Sequence, residues 1–307
     1  MNGALLASGA DVSWSQIFNF DDYGSLLSIV QNSIIAGAVL GVVGGLLSTF
    51  VMMRDLPFAV HGISELSFAG ASGFLLLGAS VVTGSIVGSL LAALLIGALG
   101  TRARDRNSII GVLMPFGLGL GVLFLSLYQG RAANKFGLLT GQIVAVDNSK
   151  LTTLVIVSII VVVGLALLWR PLTFASVDPD LASARGVPVR LLAPAFMILL
   201  GLGVAMSVQI VGALLVLSIV CTPAAAAMRL TASPVLVPIL SVVFAVTSMV
   251  GGILLAVGSS VPISPYVTTI AFAIYVVCRV IGAVRSRRGS DSAARTDPAA
   301  DSLAVVS

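Results

Sequence analysis

Apolar residues run along this chain in blocks of about 20, parted by short polar or basic clusters. The blocks fall at 25–51, 57–78, 82–100, 108–128, 151–169, 191–207, 210–228, 234–257 and 264–284. An α-helix of that length spans the ~30 Å of a hydrocarbon layer. The blocks are continuous and lack the two-residue alternation of a membrane barrel, so the pattern predicts helices. Nine spans follow, or eight if one block stays out of the membrane. Pro57 suits the first turn of the second helix. Pro115 predicts a kink in the fourth, and a very short turn near Gln209 predicts a tight hairpin. Residues 129–149 form a more polar connection whose middle is too short to span.

Composition sharpens this picture. Of 307 residues 58% are hydrophobic and 9% charged, with mean hydropathy +1.14. Soluble domains carry about 25% charged residues, so the expectation is an all-α membrane protein, a polytopic bundle of eight or nine transmembrane helices. The net charge of +4 comes from loop residues and forms no basic stripe with aromatics, which argues against nucleic-acid binding. With Arg54 on the cytoplasmic side, Arg102, Arg104, Arg106, Arg170, Arg185, Arg190, Arg229, Arg285, Arg287 and Arg288 fall there too, and only Arg131, Lys135 and Lys150 fall outside. The positive-inside rule then puts the N-terminus outside and the C-terminus in the cytoplasm. Residues 1–24 read as an extracellular segment without a signal peptide, 25–285 as the membrane domain, and 286–307 as a disordered cytoplasmic tail. Cys221 and Cys278 lie far apart in apolar blocks and read as buried thiols.

The second block holds the chemistry. It contains His61 and Glu65, the one histidine and the one glutamate of the chain. Four residues apart, they share a helix face about 6 Å apart along the axis. A carboxylate at membrane depth is costly and marks a partner, a pathway or a site. The plain alternative is a buried structural pair. Imidazole with carboxylate is also a ligand set for Zn²⁺, Mn²⁺ or Fe²⁺. One pair is too few for tight binding, which suits an ion that must leave again.

The polar segment at 177–189 predicts a short helix between two spans. Asp178 can cap it, Pro179 can open it, and Gly186 can end it with Pro188 beyond. Either it is an ordinary structured loop or it docks a cytoplasmic partner. No phosphate-binding Gly-x-x-x-x-Gly-Lys-Ser/Thr loop occurs, nor a zinc-protease or nucleophile-elbow motif. The chain therefore reads as no enzyme.

Val177-Asp-Pro-Asp-Leu-Ala-Ser-Ala-Arg-Gly-Val-Pro resembles the coupling segment of the membrane permeases of metal-type ABC importers, the ABC-3 permease family. The stretch at 209–228 is similar to that family's late Val-Gly-x-Leu-Leu-Val to Pro-Ala-Ala signature. Thr140-Gly-Gln-Ile-Val-Ala-Val resembles its Phe-Gly-Asp-Ile-Leu-Ala-Val stretch, and 51–78 its opening signature. The likeness runs in order from about residue 30 to 285. Three positions depart from the pattern. The family's Asp-x-x-x-His is His61-x-x-x-Glu65 here, and Gln142 stands where Asp or Ser is usual.

The resemblance implies a permease in a bacterial cell membrane that imports a divalent transition-metal ion, zinc first and manganese or iron next. No cofactor is held permanently; the ion is cargo. ATP is hydrolysed on a separate cytoplasmic ATPase, docked through Asp178, Pro179, Asp180, Ala184, Arg185 and Gly186. An extracellular metal-binding protein delivers the ion, and two copies form the path, lined by His61 and Glu65. The alternatives are a proton-coupled secondary transporter or an ABC permease for a metal chelate.

Overall fold

The computed structural model describes residues 27, 30–99, 103–130, 137–138, 146–257 and 262–295. The N-terminal segment 1–24, Gln142, Arg131 and Lys135 lie outside them. Eleven α-helices are found among the described residues: α1 (Gln31–Met53), α2 (Pro57–Leu76), α3 (Val81–Leu99), α4 (Ala103–Leu127), α5 (Asn148–Val177), α6 (Pro179–Ala184), α7 (Val189–Val211), α8 (Val216–Val220), α9 (Thr222–Leu230), α10 (Leu236–Ala256) and α11 (Ile263–Arg295). Seven of them are long and apolar enough to cross a membrane: α1, α3, α4, α5, α7, α10 and α11. α2 adds a 20-residue helix at the heart of the bundle, and 216–230 adds a shorter apolar segment.

α2 stays inside because its neighbours come close on every side. It packs on α3, α4 and α7, and the contacts are made by residues without bulk. A Cβ on Gly70 would collide with the carbonyl of Gly84, and one on Gly88 with that of Leu66. The small-residue repeat 84–88 thus faces α2, as its spacing predicts. On the far side Gly117 of α4 admits the backbone at Glu65 and Leu66. α1 uses the same device: a Cβ on Gly41 or Gly45 would stand 2.7 or 2.6 Å from the backbone of α10.

Two serines join the inner helices. The Ser67 and Ser85 hydroxyls lie 2.7 Å apart, and Ser85 Oγ donates to the carbonyl of Ala205 at 3.2 Å, tying α2 to α3 and α7. All three backbone and side-chain partners are away from water, where a hydrogen bond is most costly to lose.

The expected hairpin at Gln209 is not there. α7 runs on to Val211, and Gln209 stays helical because its amide Nε2 donates to the carbonyl of Val81 at 3.1 Å. The turn falls instead at Gly212, with φ 88° and ψ 156°, a conformation that only glycine adopts without strain. The block predicted as one span at 210–228 is therefore broken into a 3₁₀ turn at Ala213–Leu215 and helices α8 and α9. Ser48 of α1 repairs the second break. Its hydroxyl accepts the amide of Ala224 at 3.0 Å and donates to the carbonyl of Cys221 at 3.2 Å. Broken helices are tolerated at membrane depth only where protein supplies such partners.

α4 carries Pro115 inside it without a break in the helix. Two further differences concern helix ends. α5 passes Pro171 and continues two turns beyond the expected stop at residue 169, with Leu172 and Ala175 buried to hold it. α11 reaches Arg295, ten residues into the segment read as disordered. The alanines at 293 and 294 favour helix. Cys278 is buried and Cys221 half-buried, both free thiols.

Two substitutions test this packing. Ser48→Ala removes the acceptor of a buried amide and is expected to cost ~1–3 kcal/mol. Nothing lies within 4 Å of a Cβ on Gly111, so Gly111→Ala is expected to gain ~0.4–1 kcal/mol. Thermal unfolding of the purified chain in detergent micelles reads both, in opposite directions.

Candidate ion site and docking segment

α2 opens at Pro57 in its first turn, after a turn in which Asp55 takes the left-handed conformation at φ 58°. His61 stands one helical turn into α2, and Glu65 two turns. Their facing atoms, Nδ1 of His61 and Oε1 of Glu65, are 3.8 Å apart, close enough for an ion pair and too long for a hydrogen bond. The Glu65 side chain is 6% exposed and that of His61 31% exposed. The pair thus has one sealed end and one open end, the geometry of a site reached from one side.

Neither group is satisfied. His61 Nδ1 and Glu65 Oε2 are buried atoms with no hydrogen-bond partner. Ser64, the nearest hydroxyl in sequence, spends its proton on the carbonyl of His61 at 2.8 Å, and Ser72 bonds the carbonyl of Phe68. A buried carboxylate oxygen and an imidazole nitrogen left open side by side are two free lone-pair donors for a proton or a cation. Among the described residues no group of three or more His, Cys, Asp or Glu residues is placed to hold a metal ion.

The segment after α5 folds as its residue types require. Asp178 is extended (φ −144°, ψ 94°), and its Oδ1 accepts the amide of Leu181 at 2.9 Å; Pro179 opens α6. At the other end Gly186 has φ 82°, its amide bonds the carbonyl of Ser183, and the amide of Val187 reaches the carbonyl of Ala182, both at 3.0 Å. These paired bonds are a Schellman closure. Ala182 alone is buried, while Asp178, Pro179, Asp180, Ala184, Arg185 and Gly186 all face outward. The result is a short rigid knob, capped at both ends, standing between two spans.

The pair and the knob lie on different elements. Sequence reading missed Ser48, Ser67 and Ser85. The signal was present: Ser67 and Ser85 sit among the glycines of the α2–α3 contact, where a hydroxyl has no solvent to bond. It also left Arg54, at the α1–α2 turn, as a mere orientation mark.

A bundle of long apolar helices around one unsatisfied acid–imidazole pair has the make-up of a polytopic membrane protein. The sequence matches the ABC 3 transport family over residues 27–282, and the chain belongs to that family. It is a multi-pass transport subunit and not itself an enzyme. It is 29% identical over 241 residues to the manganese transport system membrane protein MntC of Halalkalibacterium halodurans, covering 78% of this chain and 82% of that one. It is 25% identical over 232 residues to the high-affinity zinc uptake system membrane protein ZnuB of Haemophilus influenzae, covering 75% and 89%. Among solved structures it is similar to PsaBC from Streptococcus pneumoniae in complex with Fab, with a TM-score of 0.75 at 25% identity, covering 84% and 95%.

The caps of α6 give a direct test. Asp178→Ala is expected to cost about 1 kcal/mol locally. Hydrogen exchange at the Leu181 amide should then quicken about fivefold, with exchange in α1 unchanged.

Proposed function

We propose that this chain is the membrane permease of an ATP-driven importer for divalent transition-metal ions. The observation that carries the reading is the open pair of lone-pair donors, His61 Nδ1 and Glu65 Oε2, buried side by side in α2. A nitrogen and a carboxylate oxygen suit a borderline first-row dication. Two ligands hold such an ion loosely, and a second copy of the chain facing the first would raise the count to four. Loose binding suits transit, since the ion must be released on the other side.

Zinc leads the expectation from sequence; the names of the similar proteins add manganese on equal terms. Both ions accept this donor set. Delivery by an extracellular metal-binding protein follows from membership of the family, as does a separate ATPase in the cytoplasm. That ATPase docks on Asp178, Pro179, Asp180, Ala184, Arg185 and Gly186 of the knob. Its rigid capping supports this role, because a docking element must pass force to α5 and α7 without yielding. ATP binding then moves the knob and switches the bundle between outward-open and inward-open states. In this reading the N-terminus is outside and the C-terminus in the cytoplasm of a bacterial cell.

Radiolabelled zinc and manganese uptake tests the reading, in cells expressing this chain with its candidate ATPase. His61→Ala and Glu65→Gln are each expected to lower uptake at least about tenfold, the equivalent of ~1.4 kcal/mol. Wild-type uptake by both variants at normal expression would overturn the role of the pair. Gly186→Val strains the left-handed closure of the knob and is expected to uncouple ATP hydrolysis from uptake. Uptake that survives an inactive ATPase but collapses with a protonophore would make the chain a proton-coupled carrier instead.

A further inference from the structure

The turn between α1 and α2 gathers a second set of unsatisfied groups, apart from the ion pair. Arg54 caps the end of α1, and Arg106 lies in the first turn of α4, 52 residues later in the chain. Arg54 Nη1 and Arg106 Nε are both buried N–H donors with no hydrogen-bond partner. Arg54 is held in place from one side, its guanidinium 5.8 Å from the centre of the Phe196 ring. Phe196 is in turn packed edge-on to Phe50, and Phe50 to Trp169.

The two cations feel each other. Burial holds the Arg54 pKa below its usual value, and the charge of Arg106 lowers it further. The nearby acid is Asp55, which acts on Arg106 without coming within 4.0 Å to form an ion pair with either arginine. Among the described side chains two positive charges stand against one negative. A buried charged donor without a partner is costly, and guanidinium groups are matched best by the oxygens of phosphate or carboxylate.

What stands beside the cluster narrows the choice. Phe58, four residues after Arg54 and in the first turn of α2, is 67% exposed. Both arginines sit where apolar spans begin or end, Arg54 directly after the span Gln31–Met53 and Arg106 opening the span Arg106–Leu127. This is the depth of lipid headgroups. A ligand that fits carries a single negative charge on phosphate oxygens and an apolar chain to lie along Phe58.

We propose that Arg54 and Arg106, with Phe58 beside them, form a binding site for the phosphodiester group of an anionic membrane lipid. The lipid phosphate completes the open N–H donors, balances the extra charge, and pins α1, α2 and α4 together below the ion pair. Free phosphate offers the same oxygens but no chain for Phe58. The site does not depend on the ion that the permease carries.

Thermal unfolding of the full-length chain in maltoside micelles tests the site, with phosphatidylglycerol, phosphatidylcholine or inorganic phosphate added. Phosphatidylglycerol is expected to raise the melting temperature by about 5 °C, and phosphatidylcholine to leave it unmoved. Arg106→Gln and Arg54→Gln should each abolish the rise. Should Arg54→Gln fail to fold, Arg54→Lys replaces it and is expected to keep only part of the rise, since an ammonium lacks the planar fork. Native mass spectrometry should retain one phosphatidylglycerol on the wild type and none on Arg106→Gln. An equal rise with inorganic phosphate would support an oxyanion site and assign it to the free ion. A rise that persists in both glutamine variants, or no rise with either phosphate source, would overturn the proposal. So would a chain stabilised only by adding its ATPase, which would mark a carboxylate contact instead.

Discussion

Everything in this bundle depends on how closely helix backbones approach one another around α2. A helix carrying a glutamate, a histidine and three serines is too polar to face lipid at low cost. It is kept inside because Gly70, Gly84, Gly88 and Gly117 bring the backbones of α3 and α4 against it. Apolar side chains give little preference for one helix over another in a membrane, since lipid tails are equally apolar. Van der Waals contact between thin helices and buried hydrogen bonds decide the association instead. The Ser67–Ser85–Ala205 link supplies the second of these at the same contact.

That enclosure also explains the state of the ion pair. α4 meets α2 through the backbone at Glu65, with Gly117 presenting no side chain. No donor from α4 reaches the carboxylate, and Ser64 is committed to its own helix. Glu65 is therefore sealed yet unpaired on one oxygen, while His61 keeps an open edge. The facing atoms of the two side chains stand 3.8 Å apart.

The broken segment after α7 shows the same economy of polar groups. Gly212 turns the chain, and Ser48 reaches across from α1 to bond both sides of the Cys221 break. The unpaired backbone groups that would forbid a break in lipid are met by one hydroxyl. α6, in contrast, closes with its own residues, Asp178 at one end and Gly186 at the other. It needs nothing from the bundle except a place for Ala182.

How much of this was legible in the chain follows from the range of the forces involved. Local rules fixed the helical class, the four-residue spacing of His61 and Glu65, and the capped knob at 178–186. Helix period, proline at a first turn and glycine at a left-handed closure act within a few residues. Tertiary structure alone decided that Gln209 stays helical, because its partner Val81 is 128 residues away. It alone brought Ser48 to Ala224, and Arg54 within the field of Arg106. Whether a polar group in an apolar stretch is a turn, a lock or a site depends on which donor or acceptor faces it, and only the packed bundle determines that.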